Sequence, residues 1–221
     1  MESYIQEKLI EFNDFFSGND YAAAKIVCDE VISDSKKALA NIDNNPESEN
    51  NLRYVVGMMF KSFSKFIQLH NLTTERNWWV NNKKVEDIWY VMCDCNDLLN
   101  FCIDVIETDA LTKIRERFKK FSIFFKKRFG PGLYASPVII IDRELCSICS
   151  KDVRGCEHRQ GRLYNGRICR HVAESISTMK SVDLVKVPKD PRCRLWPWNE
   201  EKKGTFKVSI LNTSSIDDFL Y

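Results

Sequence analysis

Residues 111–141 read LTKIRERFKKFSIFFKKRFGPGLYASPVIII, and the chain changes character inside that stretch. Between Lys113 and Arg128 lie eight Lys/Arg and one Glu, with Ile114, Phe118, Phe121, Ile123, Phe124 and Phe125 on the remaining positions. This spacing predicts a helix over 111–129 with an aromatic stripe and a cationic face. Gly130-Pro131-Gly132 then removes both helical φ/ψ preference and a backbone donor, which ends the helix. Beyond it the β-branched run Val138–Ile141 has the length and composition of a strand. Two readings of the basic helix stand open: a stripe packed inward beneath a solvated basic face, or a surface for a polyanion or a membrane.

Upstream of this switch the chain reads as helices. Leu9, Phe12, Phe15 and Phe16 recur at helical spacing until Ser17-Gly18-Asn19-Asp20 closes the segment, and Asp20 can cap a second helix over 21–39. Residues 41–51 read as a polar loop. A third helix carries Tyr54, Met58, Phe60, Phe63, Phe66 and Ile67, and residues 71–84 form a polar connection containing Trp78-Trp79. The fourth helix, about 85–106, carries Ile88, Trp89, Met92, Leu99, Phe101 and Val105. Downstream, Val182–Val187 and Phe206–Ile210 are further strand-length runs. The expected fold is mainly α: an N-terminal antiparallel helical bundle (1–129), a linker (130–137), and a small α+β zinc-binding module with a C-terminal tail (138–221).

With 221 residues, 44% of them hydrophobic, and only 8 Gly and 6 Pro, the chain can bury a core and is not of the disordered or collagen-like class. No apolar run reaches the ~18–20 residues that a membrane span needs. The opening MESYIQEKLIEF has acidic residues where a secretory leader needs a basic segment, so a cytoplasmic location is the expectation. The net charge of +2 conceals an asymmetry: residues 1–110 hold 10 Lys/Arg against 19 Asp/Glu, and residues 111–221 hold 23 against 12. Any polyanion contact is thereby assigned to the C-terminal half.

That half contains CSICSKDVRGCEHRQGRLYNGRIC, residues 146–169. Cys146, Cys149, Cys156 and His158 are spaced C-x2-C-x6-C-x-H. Two thiolates separated by two residues can grip a metal from one tight turn, and a second pair can complete a tetrahedron. Soft sulfur with imidazole in a four-coordinate set is the donor chemistry of structural Zn2+. A chain in a reducing compartment has little use for disulfides, and a redox CxxC would need a strand–helix context that is absent from the pattern. Cys169, farther along, is the substitute for the fourth ligand. Cys93, Cys95 and Cys102 in the fourth helix, with Cys28 and Cys193, read as small buried hydrophobes.

The run from Cys146, with Cys149, Cys156, His158, Gly161, Tyr164, Gly166 and Cys169, followed by the strand Val182–Val187, Pro188 and Pro191, resembles the cysteine-rich segment of some phage prohead maturation proteases and related prophage proteins. The likeness covers residues 146–196 and none of the helical half. It implies a structural metal module with a phage- or mobile-element-linked history, and hence a role in host–phage conflict. It does not carry the protease over, because Asp183 stands where that family has a strand serine.

The function expected from these residues is a non-enzymatic, zinc-containing adaptor: a helical scaffold for a protein partner, joined to a basic zinc module that contacts nucleic acid or a phage-related protein. Arg154, Arg159, Arg162 and Arg167 around Tyr164 are the candidate nucleic-acid contacts, since guanidinium groups suit phosphate and an aromatic ring suits base stacking. No catalytic residue is assigned. Two other classes stay open. One is an HNH-like metal-dependent nuclease using His158, Asn165 and His171 in that order; the other is an oligomerisation subunit of a larger defence or mobile-element complex.

Overall fold

The computed structural model describes residues 2–202, 205 and 206, and these fall into two compact units. One comprises residues 2–40 and 53–130; the other comprises residues 41–52 and the described residues from 131 onward.

The first unit is helical. α1 (Glu2–Ser17) buries Ile5, Leu9, Phe12 and Phe16, one apolar stripe at helical period. Asn19 turns the chain at φ 59°. Asp20 then caps α2 (Tyr21–Leu39), its carboxylate accepting from the Ala23 amide at 3.0 Å. α3 (Glu47–Thr74) supplies the largest buried side chains of the unit, Tyr54, Phe60 and Phe63 among them. Phe12 stacks on Phe63 at 4.6 Å and on Phe16 at 5.3 Å. α4 (Asn82–Ile103) meets α3 through the Tyr54–Phe101 edge contact and the Lys65–Asp94 ion pair at 3.0 Å. Cys95 and Cys102 lie in this interior, as does Cys28 of α2. Burial pushes the Cys28 and Cys95 thiols up and the Cys102 thiol to about 12, so these cysteines behave as the inert apolar residues the sequence suggests.

α5 (Asp109–Phe129) is capped by Thr108, whose hydroxyl accepts from the Leu111 amide. Leu111, Ile114, Phe118 and Phe125 are buried, while Ile123 and Phe124 are exposed alongside Lys119, Lys120, Lys126 and Lys127. The stripe therefore packs inward along most of its length. Its partner is Trp78, only 3% exposed. Trp78 lies within 6.0–6.4 Å, centroid to centroid, of Phe121, Phe124, Phe125 and Phe129. The connection expected to be polar thus carries a core anchor, presented by a short 3-10 turn after Asn77 at φ 62°.

The second unit is built on a long antiparallel ribbon. β1 (Leu133–Cys146) pairs with β4 (His171–Val185), from Tyr134 opposite Val185 to Cys146 opposite His171. Between them lie β2 (Leu163–Tyr164) and β3 (Arg167–Ile168), a short hairpin. β5 (Arg194–Leu195) pairs with the start of β1, giving the order β4-β1-β5. β6 (Glu200–Lys202) pairs with β7 (Thr205–Phe206). At the base, Tyr134, Ala135 and Trp196 form a small core, with the Arg194 guanidinium 4.4 Å from the centroid of the Trp196 ring. Midway the ribbon is open on both sides, and every residue from Val172 to Leu184 is exposed.

Several boundaries differ from the sequence expectation: α3 runs on to Thr74, α4 spans Asn82–Ile103 rather than 85–106, and β4 starts at His171 rather than Val182. Two further differences bear on the cysteine-rich unit. β1 starts at Leu133, inside the stretch read as linker, so that Gly130 to Gly132 alone separate α5 from β1. Alternation is weak there and Pro137 obscures it, yet Tyr134 and Ala135 are buried. The second difference is the stretch read as a polar loop, 41–51. A 3-10 turn over Ile42–Asn44 is followed by the start of α3 at Glu47, just after Pro46. Proline presets the helical φ, and the acidic first turn suits the helix N-terminus. This turn is polar because it docks by hydrogen bonds, which a hydrophobic period cannot register. The strand expected over 206–210 lies outside the described residues beyond Phe206, as does the tail from 212.

Candidate metal centre

β1 delivers Cys146, only 1% exposed, to the far end of the ribbon. The chain turns at once: the Ser150 amide donates to the Cys146 carbonyl at 2.8 Å, with Ser150 at φ 57°. Inside this turn the Ile148 amide points at Cys146 Sγ at 3.4 Å. Asp152 caps the following 3-10 turn (Val153–Gly155) and brings Cys156 round to face the knuckle. Cys156 is followed immediately by a second close turn, in which the His158 amide donates to Cys156 Sγ at 3.2 Å.

The result is that Cys146, Cys149, Cys156 and His158 bring their ligating atoms within 4.8 Å of one another. Cys149 Sγ is 3.5 Å from Cys156 Sγ, and Cys156 Sγ is 3.3 Å from His158 Nδ1. A tetrahedral ion with metal–sulfur bonds near 2.3 Å sets its sulfurs about 3.8 Å apart, so these side chains already approximate the edges of a coordination polyhedron. The group can hold a metal ion.

Burial pushes the Cys146 thiol up. The Cys149 and Ile148 amides, then the Cys156 and Cys169 thiols, outweigh it and bring Cys146 down to about 6. Cys156 is pushed up to about 11, first by desolvation and then by the neighbouring Cys149 and Cys146 thiols. Several sulfurs crowded together cannot all ionise unaided. A cation bound among them removes that conflict and releases protons as it binds.

A fifth donor stands beside the four. Cys169 is fully buried, with its Sγ 3.7 Å from that of Cys146. The β2–β3 hairpin brings it back. Asn165 at φ 48° and Gly166 at φ 72° form the two-residue Asn-Gly turn that such hairpins favour. The Cys169 amide then donates to the Arg162 carbonyl, and the Gly161 amide donates to the Cys169 carbonyl, both at 2.8 Å. The shared environment of four thiols and one imidazole leaves one donor in excess of a tetrahedron. His158 belongs to the mutually close set, and Tyr164 holds its ring by an edge-to-face contact at 4.6 Å. Replacing His158 with alanine is therefore expected to abolish metal retention through dialysis, while Cys169→Ser retains it. Metal analysis of the two purified variants checks this; retention in the first and loss in the second would reverse the assignment.

The candidate nucleic-acid contacts surround the knuckle. Arg159, Arg162 and Arg167 are exposed. Arg154 is also exposed, but its guanidinium forks onto Asp152 at 2.8 and 2.6 Å and holds that carboxyl well below the usual range. Tyr164 is half-buried, its hydroxyl accepting from the Arg159 amide at 3.0 Å and its ring set against His158. Two of the five residues thus have structural partners.

The sequence did not reveal the support beneath the Asn-Gly turn. The Asn165 amide donates to Glu47, the Gly166 amide donates to Asn51 at 2.7 Å, and buried Asn50 donates its amide to Asn165 Oδ1 at 2.5 Å and to the Ile42 carbonyl at 2.8 Å. Residues 41–52 therefore complete the cysteine-rich unit from more than a hundred residues away. Asn-Gly in 165–166 and the Asn/Glu-rich start of α3 were visible separately; nothing in either names the other. No helix among the described residues is long and apolar enough to cross a membrane. No family model, curated protein or solved structure matches the chain.

Proposed function

We propose that the chain is a zinc-dependent adaptor without catalytic activity, acting inside the cell. In this reading the helical unit is a bundle-like scaffold for a protein partner, and the cysteine-rich unit is a structural zinc module whose basic surface meets nucleic acid. The observation that carries the reading is the convergence of Cys146, Cys149, Cys156 and His158 on one point. A three-thiolate, one-imidazole set fills all four positions of a tetrahedral zinc, leaving none open for substrate or water. Such a centre organises a fold. Two of the three residues that an HNH-like nuclease would need have other partners: His158 is in the thiol cluster, and Asn165 is bound within its turn to Asn50. The prophage resemblance of residues 146–196 supports a setting in host–phage conflict.

The exposed guanidinium groups of Arg159, Arg162 and Arg167 are the contact surface in this proposal. Phosphate neutralisation releases counterions, so affinity falls with salt at a log–log slope of about −0.9 per contact on duplex and about −0.7 on single strands. Reversing these three residues to glutamate is expected to flatten the slope by about two to three contacts' worth, with metal content unchanged. Reversing Lys119, Lys120, Lys126 and Lys127 of α5 is expected to leave the slope alone. Anisotropy titrations on single- and double-stranded DNA and RNA measure both. Absence of binding at low salt to all four would remove nucleic acid from the proposal and leave a protein adaptor.

A further inference from the structure

β4 is the edge strand of the β4-β1-β5 sheet, and among the described residues no strand pairs with its outer side. It is long, it is exposed from Val172 to Leu184, and it carries Ile176, Met179, Val182 and Leu184 at the surface. A two-stranded ribbon is marginal in water and an open apolar edge is a pairing template; sheets acquire independent stability at three or more strands. Natural edges of this kind are usually guarded by charge. Here the guard is of mixed sign, and its arrangement is specific.

Written as HVAESISTMKSVD, residues 171–183 are self-complementary about Ser177. Laid antiparallel against a second copy with Ser177 on the two-fold axis, Glu174 stands opposite Lys180 and Val172 opposite Val182. His171, a donor, stands opposite Asp183, an acceptor. A slip of one residue places Glu174 opposite Met179 or Ser181 and leaves both charges unmatched.

The extra residues of β4 have the same symmetry. Against β1, Ile139 pairs with Met179 after Val138 pairs with Ser181, so Lys180 is an extra residue; the same skipping makes Ser177 and Glu174 extra. The three bulges on β4 itself are centred on Ser177 at equal steps, while the fourth irregularity of the ladder leaves Asp142 of β1 extra. Bulges ordinarily spoil an edge for a regular strand. A copy bulged at the symmetric positions matches where a regular strand would not.

We infer that β4 is a homodimer interface, in which two copies of this chain pair β4 to β4 antiparallel about Ser177 and join their three-stranded sheets into one of six strands. The interface is isologous: each Glu174–Lys180 pair occurs twice, once on either side of the axis. Glu174 already reaches Arg143 of β1 at 2.9 Å, so in the dimer it lies between two cations and Lys180 gains its counter-charge from the other copy. The inference rests on the ribbon alone and holds whether or not the neighbouring centre carries zinc.

Sedimentation of the full chain tests it by charge reversal. The wild type is expected to dimerise at micromolar concentration. Lys180→Glu sets two Glu–Glu pairs across the axis and is expected to weaken the dimer about tenfold or more; Glu174→Lys sets two Lys–Lys pairs and does the same. Mixing the two monomeric variants restores opposite charges across the axis, and a heterodimer of wild-type affinity is expected. Restoration by mixing is unavailable to variants that have merely misfolded. A wild-type chain that stays monomeric at about 100 μM, well above the micromolar range expected, a dimer indifferent to both reversals, or failure of the mixture to associate would each overturn the interface.

Discussion

Cys149→Ser is expected to leave the chain without bound metal and to unfold the cysteine-rich unit while the helical unit stays folded. Metal ligation in small modules contributes on the order of 10 kcal/mol to folding. The second unit has little with which to replace it. Its two ends hold small cores, Tyr134, Ala135 and Trp196 at one and Cys146 with Cys169 at the other, and the ribbon between them is exposed. Helical circular dichroism should persist in the variant. Limited proteolysis should open at 146–170, because the turns there are fixed by the cysteines and by single hydrogen bonds rather than by burial. The docking of residues 41–52 should loosen with it, since Asn50 and Asn51 grip the Asn-Gly turn of the same segment. Wild-type protease resistance across 146–170 in a metal-free Cys149→Ser protein would show that the fold of this unit does not depend on the site.

The second large effect concerns Trp78. Its replacement by alanine is expected to cost about 3–5 kcal/mol of helical-unit stability, lowering Tm by roughly 10 °C or more. Trp78 is the surface against which α5 lays its phenylalanines, including Phe125, which is fully buried and also stacks on Trp89 at 5.3 Å. Removal leaves a cavity that rings at helical spacing cannot close without shifting α5. Val80, two residues on and 72% exposed, supplies the control: Val80→Ala should change stability by no more than about 0.5 kcal/mol. Comparable thermal denaturation of the two variants would contradict this packing.

Trp78 also marks the limit of what periodicity makes readable. α1, α2, α4 and α5 are legible because each repeats an apolar residue at helical spacing between recognisable stops: Asp20 caps α2 as expected, and Gly130 ends α5 with φ 73°. A single tryptophan in a polar connection has no period, so its burial is set by a partner helix that begins thirty residues later. The start of α3 was hidden for the complementary reason. Glu47, Asn50 and Asn51 are polar because their partners are backbone amides and the Asn165 side chain. Such a contact leaves no hydrophobic trace. The candidate centre was the most legible feature of all, since C-x2-C and C-x-H fix their own geometry through tight local turns. Cys169 reaches the same cluster only through the β2–β3 hairpin, and its 3.7 Å approach to Cys146 depends on a tertiary return that spacing does not encode.

Binding of a metal by Cys146, Cys149, Cys156 and His158 is decided by the metal content of the unmodified full chain. Native mass spectrometry with elemental analysis, on protein purified without added metal, should find one zinc per chain. Under the same conditions Cys146, Cys149 and Cys156 should resist alkylation until a chelator is added. A folded chain with no metal, in which these three thiols react without chelator, would contradict the account.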